Sequence, residues 1–297
     1  MQTARWRCST DGWWIRLLPE CPQGVGVKRV VRELELGGVT WNVSEIGTAG
    51  RTLLSLPGAM GAIDAMRPAL DSLARDRTIL AVNYPPFPTM TAFCDGLADL
   101  LDALGRDRVD VIGSSFGGYV AQCLMRRHPH RVGNLVLAHT YVLTPRDARK
   151  LRAGIWLAPR IPRAIFERLA ALKLQVVLQP VRRSNPSSYA ALVSEIRSAM
   201  QTSLSPAAVQ RNNEWMLESI RSFPFAPREL SPAPRRIMIV ESDNDPVLRS
   251  RARAAVRAMY PNALVKTFHG TGHVTALAEP SAFAAEVADF LGTGERT

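Results

Sequence analysis

The chain has 297 residues, 46% of them hydrophobic, with mean hydropathy close to zero, which allows one large catalytic domain carrying an insertion. Its formal net charge of +11 is almost entirely arginine, since Lys28, Lys150, Lys173 and Lys266 are the only lysines. A bias this strong often reflects GC-rich coding. With no zinc-finger spacing, aromatic RNA-binding motif or block of like charges beside it, a nucleic-acid partner is excluded as a reading.

Residues 1–26 hold Trp6, Trp13 and Trp14 interleaved with Arg5, Arg7 and Arg16, and read as a loose N-terminal arm. The longest apolar run there is too short for a signal-peptide core. No stretch approaches the roughly 20 apolar residues that cross a bilayer, so the expected location is cytoplasmic. Two strands open the domain, at residues 28–36 and 39–46, around the turn pair Gly37-Gly38. A short apolar strand at 52–56 ends at Pro57-Gly58, and a helix is expected over 64–74. The run 78–82 is continuous and apolar, as in a strand buried on both faces. Thr89 caps a helix to about residue 104. A strand at 109–113, a helix at 116–128 and a strand at 131–138 follow. Such alternation, with short joints, predicts an α/β fold with a mostly parallel sheet and helices on both faces.

The alternation then stops. Residues 143–231 have helical spacing punctuated by Pro145, Pro159, Pro162, Pro180, Pro186 and Pro206, which predicts several short helices forming a cap. Strand and helix patterns resume at 236–240, 246–260, 263–268 and 280–291. The α/β core is therefore expected over 27–142 and 232–297. Ligands in such sheets bind at the carboxyl ends of the strands, so an insertion leaving from one of those ends should roof the site. The insertion carries 14 Lys and Arg against 6 Asp and Glu. Its basic, apolar character first reads as a solvated face, and secondarily suits an anionic substrate or peripheral contact with an anionic membrane.

The chemistry centres on Gly113-Ser114-Ser115-Phe116-Gly117, which fits G-x-S-x-G between a strand and a helix. That turn lifts the Ser115 hydroxyl into the crevice as a nucleophile. A hydroxyl needs a base, and His273, in Gly270-Thr271-Gly272-His273 past the last strand, is favoured over His269. Asp245 is expected to orient the base, with Asp243 as the runner-up; Asp before Pro246 also suits a helix cap, so the two roles could compete. The oxyanion hole would use the backbone N–H of Phe116 and that of Ala59, with Met60 as the alternative to Ala59; Pro57 has no N–H to give. Cys94 and Cys123 fall on apolar helix faces as small hydrophobes, whereas Cys8 and Cys21 could pair in an oxidising compartment. No metal or cofactor is expected. The partner expected is a small-molecule substrate.

These residues resemble the α/β-hydrolase superfamily from about residue 28 to 291, including the ending Gly270–Pro280. A narrower resemblance is to maspardin-like members. It rests on Leu56-Pro57-Gly58, Tyr84-Pro85, Phe93-Cys94-Asp95-Gly96 and the run 111–122. The superfamily resemblance implies a Ser-Asp-His hydrolase of esters or related acyl bonds, with an apolar substrate. The maspardin resemblance implies an alternative, a non-catalytic binding or scaffold protein. This chain departs from such members by having His273 where they lack the histidine.

Overall fold

The computed structural model describes residues 5–8, 14–17, 29–48, 50–59, 66–184, 205–223, 225 and 236–292, with single positions between 186 and 197. Among the described residues ten strands form one sheet: β1 (Arg5–Cys8), β2 (Trp14–Leu17), β3 (Arg29–Leu36), β4 (Val39–Ile46), β5 (Thr52–Leu56), β6 (Thr78–Val82), β7 (Val109–Ser114), β8 (Val132–Ala138), β9 (Ile237–Ser242) and β10 (Leu264–Phe268). Their order is β1-β2-β3-β4-β6-β5-β7-β8-β9-β10. From β6 to β10 every pairing is parallel, whereas β1 to β4 add antiparallel strands at one edge. Residues 5–8 and 14–17, read above as part of a loose arm, are instead strands of that edge. β2 pairs with the backbone groups that β3 would otherwise leave open, and β1 pairs with β2.

The central parallel strands are mainly apolar because both of their faces are covered. Every residue of β5, β6 and β8 is buried. Helices α1 (Arg67–Leu73), α2 (Met90–Ala103) and α3 (Phe116–Arg127) follow β5, β6 and β7. The Thr89 side chain accepts the Ala92 N–H at 3.0 Å and starts α2, as its residue type predicts. One face of the sheet buries Leu97, Leu100, Tyr119 and Leu124 from α2 and α3. The other buries Leu70 of α1 with Phe283 and Phe290 of the closing helix, Pro280–Gly292. Cys94 and Cys123 are free and buried in the first of these layers. Cys21 lies outside the described residues.

Between β8 and β9 the described residues form helices α4 (Ala148–Leu157), α5 (Arg163–Val177), α6 (Gln179–Ser184) and α7 (Pro206–Ser222). Prolines stand at their starts: Pro162 precedes α5, Pro180 opens α6 and Pro206 begins α7. Helix α7 is fastened to the core. Trp215 is fully buried, stacks on Phe93 at 4.7 Å and donates its indole N–H to Phe87 O at 2.9 Å. Glu218 accepts N–H groups from Met90 and Thr91, at the start of α2, at 3.1 and 3.4 Å. Helix α5, by contrast, leaves Ile165, Leu169, Leu172 and Val176 more than half exposed. No helix among the described residues is long and apolar enough to cross a membrane.

The remaining helices are α8 (Ser250–Met259), α9 (Thr275–Ala278) and α10 (Pro280–Gly292). Helix α8 starts four residues later than the expected helix at 246. Asp245 caps the tight turn through Val247 and Leu248 rather than a helix opening at Pro246.

Candidate active site

Ser115 stands between β7 and α3 with φ of 53° and ψ of −117°, a conformation that non-glycine residues seldom adopt. The strain follows from the close packing around it. A Cβ on Gly117 would lie 2.1 Å from Leu56 O, and one on Gly113 would lie 2.4 Å from Gly117 O. The glycines two before and two after the serine therefore let the turn close. The Ser115 N–H donates to Ala138 O at 2.9 Å, and Ser115 O accepts from Thr140 Oγ1 at 2.8 Å, so the end of β8 clamps the elbow on both sides.

The structure brings Ser115, His273 and Asp245 together across 158 and 28 residues of sequence. Ser115 Oγ is 3.0 Å from His273 Nε2, and His273 Nδ1 is 2.8 Å from Asp245 Oδ2. Gly272, at φ 63°, turns the chain just before His273, and Asn244 Oδ1 accepts the Gly272 N–H at 2.8 Å. The contacts of Asp245 divide between its two oxygens. Oδ1 accepts the Val247 and Leu248 N–H groups at 2.8 and 2.9 Å, and Oδ2 faces the histidines. Burial pushes this carboxyl up, but the His139 and His273 imidazoles and the Leu248 N–H outweigh it and hold it well below the ordinary carboxylate range.

The runners-up meet each other elsewhere. Asp243 accepts from His269 Nδ1 at 2.9 Å and from the Gly270 N–H at 2.9 Å, on an exposed surface. Those bonds lower the Asp243 carboxyl, the Gly270 N–H contributing most. Glu241 is buried and ion-paired with Arg257. His128 bonds Asp95 at 2.8 Å on the far side of α3, away from the strand ends.

His139 is the residue to which the sequence analysis gave no role. It is in fact a second histidine on the same acid, with Nδ1 at 3.1 Å from Asp245 Oδ2 and Nε2 at 2.7 Å from Thr275 Oγ1. The available signal was its place directly after a buried strand, in the layer where the other strands end. His139, Asp245 and His273 offer three ligand atoms within 4.8 Å of one another, a spacing that two hydrogen bonds to one carboxylate oxygen already account for.

A cavity of about 510 Å³ opens over Ser115 and His273. Its floor includes Pro57, Gly58 and Ala59, and its far wall is Phe166, Leu169, Leu174 and Val177 of α5. Lys173, Asn212 and Asn213 are polar side chains in that otherwise mainly apolar wall. The Phe116 N–H is the first of α3 and has no acceptor within its own helix. The loop bearing Ala59 runs beside it: Gly58 lies against Ser114 O and Ser115 Cβ, and Tyr84 donates to Pro57 O at 2.6 Å. Met60 lies outside the described residues.

A parallel sheet with a strained serine turn at its carboxyl edge, roofed by helices inserted after β8, is an α/β-hydrolase architecture. The chain belongs to the alpha/beta hydrolase family, whose model matches residues 41–286. It is 25% identical over 290 residues to 2-hydroxymuconate semialdehyde hydrolase of Pseudomonas sp. (strain CF600), covering 89% of this chain and 94% of that protein. It is 32% identical over 114 residues to 2-hydroxy-6-oxo-2,4-heptadienoate hydrolase of Pseudomonas putida, a match spanning 34% of this chain and less than half, 41%, of that protein. Maspardin of Homo sapiens is 32% identical over 112 residues, 36% of each chain. Among solved structures, a hydrolase from Pseudomonas aeruginosa superposes with a TM-score of 0.72 at 20% identity, covering 88% of this chain and 98% of that one. The meta-cleavage product hydrolase of Pseudomonas fluorescens superposes at 0.67 and 16% identity, covering 89% and 98%. These two show the shared fold.

Proposed function

We propose that the protein is a serine hydrolase that cleaves an acyl bond of an apolar small molecule. Ser115 attacks the carbonyl, His273 takes the proton and returns it to the leaving group, and Asp245 steadies the imidazolium. The N–H groups of Phe116 and Ala59 receive the oxyanion, and water releases the acid. The observation that carries this reading is the 3.0 Å approach of His273 Nε2 to a Ser115 hydroxyl held at the floor of the cavity. It favours turnover over the scaffold role implied by the maspardin resemblance, because a scaffold has no need of a serine aligned with a base. The insertion acts as a cap, since α5 forms the cavity's far wall.

The bond type separates two substrates. An ester suits the mainly apolar wall. The dienoate named for the Pseudomonas putida relative contains no ester, so its hydrolysis breaks a carbon–carbon bond beside the 6-oxo group. We place the ester first. A p-nitrophenyl ester series from C2 to C12 should peak at an intermediate chain length, limited by the cavity of about 510 Å³. Faster loss of 2-hydroxy-6-oxo-2,4-heptadienoate absorbance than of any ester would reverse that order.

A second reading, contact with an anionic lipid surface, is favoured by the outer side of the cap. Trp156, Ile165, Leu172 and Val176 are all exposed there, and Arg160 and Arg163 share the same helices and joint. Vesicles containing phosphatidylserine should carry the protein upward on flotation at low salt and release it at high salt. Equal flotation with neutral vesicles, or none with either, removes the reading.

A further inference from the structure

We propose that His139 is a positioning residue: it donates its Nδ1–H to Asp245 Oδ2 and thereby moderates the grip of that carboxylate on His273. The inference rests on the serine-hydrolase reading above. His139 is buried, with 3% exposure, and follows β8 at φ 47°, a left-handed conformation costly for histidine. Its own N–H is anchored to Val240 O at 2.8 Å. The ring has no freedom of tautomer. Asp245 Oδ2 can only accept, so Nδ1 carries the proton, and Nε2 must accept from the Thr275 hydroxyl at 2.7 Å. Thr275 Oγ1 is in turn 2.7 Å from Thr271 Oγ1, which can donate to it. A relay thus runs from Thr271 through Thr275 and His139 to the carboxylate. His273 and Ser115 approach that carboxylate from the other side, with the two imidazole rings 5.5 Å apart.

The ionisable groups facing His139 are Asp245, His273 and Glu241, the last ion-paired with Arg257; Arg253 borders the hollow behind it and donates to Leu248 O. Burial pushes the His139 imidazole below its ordinary range, more than Asp245 pulls it back, so it stays neutral as a donor while His273 cycles through its charged form. Two N–H groups share one oxygen of Asp245. Removing one concentrates the carboxylate charge on the other, which stabilises protonated His273 and moves the onset of activity to higher pH.

The test uses the full chain and the pH dependence of its labelling rate by a fluorophosphonate, for parent, His139→Leu, His139→Asn and Thr275→Val. The acid-side midpoint should rise by about 0.5–1 pH unit in His139→Leu. It should stay near the parent value in His139→Asn, whose amide keeps a donor near Nδ1 and tolerates the left-handed backbone. Thr275→Val, an isosteric change that removes the hydroxyl donating to His139 Nε2, should shift the midpoint by less, and it carries the test if His139→Leu does not fold. Nitrogen-15 NMR of labelled histidines gives an arm independent of turnover: His139 should remain the neutral Nδ1–H form below the ordinary imidazole range. Midpoints coinciding across a labelled parent, His139→Leu and Thr275→Val overturn the proposal, as does His139 protonated at Nε2 or titrating near pH 6.5. A parent that is not labelled at all instead overturns the serine-hydrolase reading, while the NMR arm still reports on the hydrogen bond.

Discussion

Ser115→Ala should abolish fluorophosphonate labelling and lower turnover of any ester the protein accepts by about 10⁴–10⁶-fold. The variant should fold. Ser115 makes its structural contacts through its backbone, with N–H to Ala138 O and O accepting from Thr140, and alanine keeps both. The left-handed strain at φ 53° is already present with serine, so the methyl group adds little cost. What disappears is the hydroxyl 3.0 Å from His273 Nε2. Residual rate from the Phe116 and Ala59 N–H groups would remain, because they act on the carbonyl without the nucleophile. Labelling that survives in Ser115→Ala would move the nucleophile elsewhere. An unlabelled parent that turns over no activated ester would return the chain to the scaffold reading.

Asp245→Asn should lower kcat by about 10³–10⁴-fold with little change in KM. The backbone dictates how the new amide sits. The Val247 and Leu248 N–H groups need an acceptor, so the asparagine oxygen stays on their side and its NH₂ faces the two histidines. His273 must then accept at Nδ1 and carry its proton on Nε2, pointed at Ser115, where it cannot act as a base. The same change alters acid stability in a defined window. The folded carboxyl lies below its unfolded range, so the stabilisation from Asp245 is present above about pH 4 and is lost as pH falls through the lower folded value. The unfolding stability of Asp245→Asn should therefore depend less on pH below about 4 than the parent's, as read by denaturant melts at several pH values. Parent-like kcat in Asp245→Asn would remove Asp245 from the mechanism.

The sequence by itself determined the class of this protein. Continuous apolar strands alternating with helices imply a parallel sheet, and a glycine-flanked serine between one strand and the next helix has few other uses. These are local signals, carried by residues within a few positions of one another. Only the tertiary structure separates the pair Asp245–His273 from the pair Asp243–His269. The four lie within 31 residues, and pattern alone leaves two plausible pairings. Folding makes one pair reach Ser115 and leaves Asp243 and His269 bonded to each other on the surface. The reason is geometric: Asp245 lies in the tight turn it caps, which aims one oxygen inward, while Asp243 accepts the Gly270 N–H at the loop's outer rim. His139 was invisible as a participant because its partners, Asp245 and Thr275, lie 106 and 136 residues away. The edge strands β1 and β2 were hidden because they join the sheet only through the pairing of β2 with β3, which their own sequence does not specify.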